Sequence, residues 1–306
     1  MHIQSKSFDI VILTDSRYVD PKESNWYIDQ VLLEDKLLQE EIEKKNLRVC
    51  KKNWADKEFD WCTTKYVIFR TTWDYFERFD EFFLWIEMAK KKTLFINSSE
   101  IIKWNVDKLY LKFLQKKGIN IAPTTFIKKN DYKSLSKIFL KSKWEKAVLK
   151  PAISGAARNT YCITKQNYTD FEDVLNKLIA KESMLLQEYL KDITLNGEIS
   201  LIMIGGEYTH AVRKIAKKGD FRVQDDHGGK VIKYNAKESE IKFANQCLEA
   251  CPFETIYARV DIIYHNENKP SLSELELIEP ELWFRNNKES ATLLANHIKL
   301  LIEKTK

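Results

Sequence analysis

The sequence predicts an α/β unit followed by α+β units, and three observations carry that expectation. The opening hundred residues alternate between short apolar runs and amphipathic stretches. The strands after residue 197 change to period-2 alternation. All eight glycines fall between Gly118 and Gly229, so the first strand-to-helix turn holds none. At 306 residues the chain exceeds what one core usually spans, and three segments are expected at 1–100, 101–190 and 191–306.

The first segment reads FDIVILT (8–14), an amphipathic stretch over 27–45, LRVCKK (47–52), KYVIFR (65–70), a helix over 80–90 and TLFIN (93–97). Buried strands alternating with helices argue for a parallel sheet covered by helices. The run from Phe8 to Leu13 ends in Thr14, Asp15 and Ser16 rather than in a small-residue cleavage site. It reads as a first buried strand, not a signal peptide.

The second segment reads as short αβ units: a helix over 106–117, strand TTFIKK (124–129), a helix over 132–141, strands KAVLKP (146–151) and TYCIT (160–164), a helix over 171–180, and strand MLLQEYL (184–190). The third holds longer strands, EISLIMI (198–204), EYTHAVRK (207–214), TIYARVDII (255–263) and SLSELELIE (271–279). Helices over 238–250 and 287–303 complete it.

Composition removes several function classes. No apolar run approaches the roughly 20 residues that span a bilayer, so a membrane protein is not expected. Five scattered cysteines without a CxxC pair argue against a disulfide framework and for a reducing cytoplasm. Cys247 and Cys251 lie one helical turn apart and read as a helix face. The 50 basic and 45 acidic residues are mixed, without the basic stripe of a nucleic-acid groove. A mildly positive field suits an anionic small molecule. The glycine distribution excludes both a GxGxxG turn after the first strand and a Walker A loop.

The strongest chemical constellation lies near the C-terminus. Alternation puts Arg259 and Asp261 on one face of their strand, and Glu274 and Glu276 on one face of the next. The connection from Tyr264 to Ser271 is turn-rich, and a hairpin centred between Glu267 and Asn268 sets Asp261 across from Glu274. Carboxylates facing each other across a ladder call for a cation, and hard oxygen ligands suit Mg²⁺. The bland alternative is an exposed acidic edge.

Three further candidates are weaker. Lys150 ends an apolar strand before a small-residue loop containing Ser154 and Gly155, whose N–H groups could approach a phosphate, with Arg158 as a second positive contact. Its alternative is a surface lysine before a turn. Gln187, Glu188, Tyr189 and Leu190 form an apolar-to-polar strand end that could offer a hinge to an adenine edge. Arg213 on a strand, then Arg222 and Gly228-Gly229 in a polar loop of about 15 residues, suggest a lid. His210 reads as a structural histidine in a strand.

These pieces occur in the order used by the ATP-grasp superfamily. The carrying words are RTTWDY (70–75), WNVDK (104–108), VLKP (148–151), QEY (187–189), HAVRK (210–214), GDFRVQ (219–224), YARVD (257–261) and ELELIEP (274–280). Spread over nearly the whole chain, they resemble the glutathione-synthetase-like branch, and within it the group containing the O-ureido-serine cyclo-ligase of cycloserine biosynthesis.

The resemblance implies an ATP-grasp fold behind an N-terminal parallel-sheet (pre-ATP-grasp) domain. It implies an ADP-forming ligase using ATP and Mg²⁺, with Lys108 and Lys150 on the phosphates, residues 187–190 around the adenine and Glu198 on the ribose. Asp261, Glu274 and Glu276 become metal ligands, with Glu279 the alternative third ligand because many relatives carry Asn where Glu276 stands. Arg259 or Arg213 is then expected to stabilise a tetrahedral oxyanion and Arg222, on a closed lid, to exclude water, and Arg70, Thr72 and Asp74, at the C-terminal end of a parallel strand, are expected to contact a small amino-acid-like substrate. A nucleotide-binding module without turnover and a phosphotransferase stay open as alternatives. So do a homo-oligomer and the choice between ligation within one molecule and between two.

Overall fold

The computed structural model describes residues 6–155, 157–217, 219, 222–223, 228–265 and 269–305. The first sheet has the order β2-β1-β3-β4, formed by Val49–Asn53, Phe8–Thr14, Thr64–Thr71 and Leu94–Ile96. All its pairings are parallel, as the strand-helix alternation predicts. Helices α1 (Trp26–Glu43) and α2 (Phe79–Ala89) cover it. Ile10 and Ile12 face one core while Val11 and Leu13 face another, which is why β1 is apolar at every position from 10 to 13.

The helix expected over 106–117 begins later, as α4 (Tyr110–Lys116), and a separate helix that the sequence pattern does not anticipate, α3 (Ser99–Asn105), precedes it. One local and one distant contact hold the chain between them. The Asp107 carboxylate accepts the N–H of Leu109 at 2.9 Å, and the N–H of Lys108 leaves the helix to donate to the carbonyl of Ala152 at 2.9 Å. The second sheet, order β5-β8-β6-β7, joins Thr124–Ile127, Met184–Glu188, Lys146–Pro151 and Tyr161–Thr164 in antiparallel pairs. Helices α5 (Leu135–Ser142) and α6 (Glu172–Ile179) pack on it. The strand expected over 184–190 stops at Glu188.

The third sheet is antiparallel with order β11-β10-β9-β12-β13: Lys230–Tyr234, Glu207–Ile215, Glu198–Ile204, Tyr257–Tyr264 and Pro270–Glu276. The edge strand β11 and the short α7 (Asp192–Leu195) are not anticipated by the sequence pattern, β11 because its only long apolar side chains are Val231 and Ile232. Helix α8 (Glu238–Glu249) and the closing helix α9 (Lys288–Lys304) flank this sheet. Leu294 and Ile298 of α9 share one core with Ile10 and Ile12 of β1 and with Ile202 and Ile204 of β9, so α9 joins the first sheet to the third. Asn97 adds a buried polar tie: its amide donates to the carbonyls of Tyr257 and Leu277, both at 2.9 Å. Among the described residues, no helix is long and apolar enough to cross a membrane, and the five cysteines are unpaired.

Candidate active site

A cavity of about 580 Å³ opens where the second and third sheets meet the C-terminal ends of the first. Its acidic wall comes from β12 and β13. Asp261 pairs with Glu274 and Arg259 with Glu276 across the ladder, the register expected of a hairpin centred between Glu267 and Asn268. A bulge shifts the register beyond Asp261, and the turn that centres the hairpin, around Glu267 and Asn268, lies outside the described residues.

Three cations engage this wall. Arg259 donates from Nε and Nη2 to the two carboxylate oxygens of Asp261, each at 2.9 Å, and from Nη2 to Glu276. Lys214, on β10, reaches Asp261 at 2.9 Å and is also ion-paired with Glu198 of the neighbouring strand. Lys108 lies 3.0 Å from Glu274 and donates to the carbonyl of Ser154 at 2.6 Å. Lys150, Ser154 and Gly155 line the same cavity.

Protonation follows from this crowding. Burial alone would raise the pKa of Asp261, but Arg259 and Lys214 hold it well below the usual carboxylate range. Glu274 is also lowered: burial opposes, and Lys108 and Lys150 prevail. Glu276 is pushed up to about 8, first by burial and then by the neighbouring charges of Glu274 and Asp261, with Arg259 opposing. Burial raises Glu279 to about 7. Burial lowers Lys150, while Lys214 is raised because Asp261 and Glu198 overcome its burial.

Among the described residues, no three acidic, His or Cys side chains already close around one point as a metal cage. The donor set nonetheless suits a divalent cation. It is all oxygen, it lines one wall, and burial with neighbouring carboxylates raises Glu276 and Glu279, a crowding that a bound cation would relieve.

Other expected residues divide. Gln187, Glu188, Tyr189, Leu190 and Glu198 line the cavity. The N–H groups of Glu188 and Tyr189, however, donate to the carbonyls of Pro123 and Lys146 at 2.8 and 2.9 Å, so they point into the sheet rather than toward a ligand. Arg222 lines the cavity, whereas Asp220, Phe221 and Gln224 of the same expected lid lie outside the described residues.

Five expectations need correction. Arg213 faces away, its guanidinium 4.3 Å from the centre of the Tyr234 ring, because strand alternation gives the cavity face to Lys214. Arg158 turns from the loop to Glu182, at 2.5 Å. Arg70 is sealed in the core against Glu34 at 3.0 Å. Thr72 is fully buried, and Asp74 accepts from Trp54 and Arg78 at 2.6 and 2.9 Å. At that strand end it is Trp73 and Tyr75 that line the cavity.

Arg17, Tyr18 and Tyr27 complete that end and are not singled out by the sequence pattern. The signal available for Arg17 was its place just after a parallel strand. Asp15 fixes its guanidinium at 3.0 and 2.6 Å. Tyr18 meets Trp73 edge-on, centroids 5.8 Å apart, and the Trp73 indole N–H donates to the carbonyl of Glu279 at 3.1 Å.

Comparison with known proteins identifies the family of this fold. Residues 106–277, more than half of the chain, match the family model for the RimK-like ATP-grasp domain, and residues 10–97 match that for the N-terminal domain of D-cycloserine synthetase DcsG. The cycloserine biosynthesis protein DcsG of Streptomyces lavendulae is 26% identical over 250 residues, covering 75% of this chain and 81% of that protein. The crystal structure of D-cycloserine synthetase DcsG superposes with a TM-score of 0.84 at 23% identity, covering 97% of this chain and 99% of the other. D-alanine–D-alanine ligase from Bacillus anthracis superposes with a TM-score of 0.64 at 14% identity, covering 97% and 98%. At such identities these two structures speak for the fold.

Proposed function

Because the chain belongs to the RimK-like ATP-grasp family, we propose that it joins a carboxylate to an amine as an amide, through an acyl phosphate, with Mg²⁺ at its acidic wall. Family membership makes it an ATP-dependent, ADP-forming ligase. The intermediate, the metal, the residue roles and the substrate are the proposal. The observation that carries it is the pairing of Asp261 with Glu274 in a cavity that Lys108, Lys150 and Lys214 also enter.

In this reading Lys108, Lys150 and the loop at Ser154 and Gly155 bind the phosphates, Gln187 to Leu190 flank the adenine, and Glu198 approaches the ribose. Asp261, Glu274 and Glu276 would hold Mg²⁺, which neutralises charge on the transferred phosphoryl oxygens. The substrate carboxylate attacks the γ-phosphorus and ADP leaves. The amine then attacks the acyl carbon and phosphate leaves. Arg259 and Lys214 orient the wall and offer positive charge where the tetrahedral oxygen develops. Arg222, from the loop after β10, helps to exclude water.

The end formed by Arg17, Tyr18, Tyr27 and Trp73 would select the substrate. A small amino-acid-like molecule is favoured by the relative named for cycloserine biosynthesis, since cycloserine is itself a cyclic amino-acid derivative.

The test is ADP release over a panel of amino acids and dipeptides, with mass spectrometry of the products. Free phosphate and a product lighter by one water support the proposal, and the product's mass separates ring closure from joining of two molecules. ATP binding without ADP formation across the panel, or an amine-independent phosphorylated product, would overturn it.

A further inference from the structure

A buried ion pair outside the cavity is tied to the acidic wall. Glu34 lies on α1 and Arg70 near the end of β3, and their side chains are 3% and 1% exposed. Beyond the ion pair, Glu34 accepts two backbone N–H groups of the segment that follows β13, from Leu282 at 2.6 Å and from Phe284 at 2.9 Å. Arg70 lies 5.9 Å from the centre of the Tyr257 ring, at the start of β12, and 5.6 Å from that of Phe284. The Tyr257 hydroxyl donates to the carbonyl of Ile278 at 2.6 Å. One pair thus grips the entry to β12 and the exit from β13.

Between the two gripped amides stands Trp283, with φ of +47°, a left-handed conformation that a bulky residue keeps only when its surroundings impose it. Its ring lies 5.1 Å from the guanidinium of Arg259. Arg259 in turn holds Asp261 and Glu276. A buried ion pair is weak evidence of stabilisation, since apolar residues of similar size often serve as well, so its connections are the more informative feature.

We infer that Glu34 and Arg70 are positioning residues that, through Trp283, aim Arg259 and thereby set Asp261 and Glu276 for the divalent cation. This rests on the reading of the acidic wall as a metal site. It assigns the N-terminal sheet a part in metal binding without contact to nucleotide or metal.

The experiment is calorimetric titration of the full-length protein with ADP, with and without Mg²⁺, alongside thermal melting. In Glu34→Gln and Trp283→Leu, the Mg²⁺-dependent gain in ADP affinity is expected to fall at least tenfold, with metal-free affinity within about twofold. If Glu34→Gln does not fold, the double variant Glu34→Leu/Arg70→Met, which leaves no buried charge unpaired, takes its place with the same expectation. A folded variant with the full gain overturns the inference. So does a parallel loss of metal-free and Mg²⁺-dependent affinity, which marks a merely structural role. A wild-type protein whose ADP affinity ignores Mg²⁺ removes the metal reading itself, and the clamp with it.

Discussion

Replacing Asp261 with asparagine separates the chemical role of the acidic wall from its role in holding the fold. Asp261 accepts from Lys214 at 2.9 Å and from Arg259 at 2.9 Å through two donors. At that distance, with an effective dielectric of about 20, each charge pair is worth about 6 kcal/mol before desolvation offsets most of it. Breaking a buried pair by removing one partner costs about 3–5 kcal/mol. In Asp261→Asn neither cation is stranded, because Lys214 keeps Glu198 and Arg259 keeps Glu276, so the loss belongs at the lower end, about 3 kcal/mol.

A chain of 306 residues gains about 0.64 kcal/mol/K of entropy on unfolding, so Tm should fall by about 5 °C. ADP release should fall by about 10³-fold, the scale set by removing one preorganised electrostatic group. Circular dichroism melting and a coupled ADP assay measure the two effects, and Glu274→Gln should behave alike in the second. Near-normal ADP release in both variants would refute the metal assignment. A Tm lowered by about 15 °C or more would show that Asp261 serves the fold first.

Adjacent residues on β10 give a sharper contrast. Arg213→Ala should leave ADP release within about threefold, whereas Lys214→Met should lower it about 10²-fold, and equal effects would reverse the facing assigned to the strand. Gly197, with φ of +82°, precedes Glu198, and a Cβ there would collide with the Lys214 carbonyl. Gly197→Ala should therefore cost about 3 kcal/mol in urea unfolding, and a cost below about 1 kcal/mol would contradict the close approach. Burial pushes His210 down to about 4 from its usual 6.5. The unfolded chain binds the extra proton between those values, so the contribution of His210 to stability rises with pH across pH 4–6.5 and is lost, by about 3 kcal/mol, as pH falls through that window, against the opposite contributions of Glu276 and Glu279. The stability of His210→Gln relative to the unsubstituted protein should therefore increase as pH falls from 6.5 to 4, and a difference that does not change with pH would place the proton elsewhere.

The acidic wall is legible in the sequence because two simple rules suffice for it. Period-2 alternation selects the faces, and a turn-rich connection selects the register at Asp261 and Glu274. Lys214 escapes because Arg213 and Lys214 are equally polar, and facing depends on how β10 pairs with β9 beyond a bulge between Tyr208 and His210. Arg70 is mistaken for a substrate contact because its counter-charge is invisible in sequence. Glu34 lies on the inward stripe of α1 with Val31, Asp35, Leu38 and Ile42, where a helix pattern leads one to expect apolar side chains. The break between α3 and α4 is likewise set from outside the segment, by the carbonyl of Ala152.

The supports of the two cavity ends differ in kind, and that difference bears on how such a chain changes substrate. The wall around Asp261 is fixed by strand register, by cations from three elements and by the segment that Glu34 grips, so a change in any one of these reaches the others. Arg17, Tyr18 and Tyr27 instead project from the short turn after β1 and from the first turn of α1, where Asp15 holds the Arg17 guanidinium. Loops at the ends of parallel strands tolerate substitution better than paired strands do. Trp73 belongs to both ends, since it packs on Tyr18 and donates to the carbonyl of Glu279. Substitutions at Tyr18 and Tyr27 should therefore redirect substrate choice while sparing nucleotide binding, and substitution at Trp73 should disturb both.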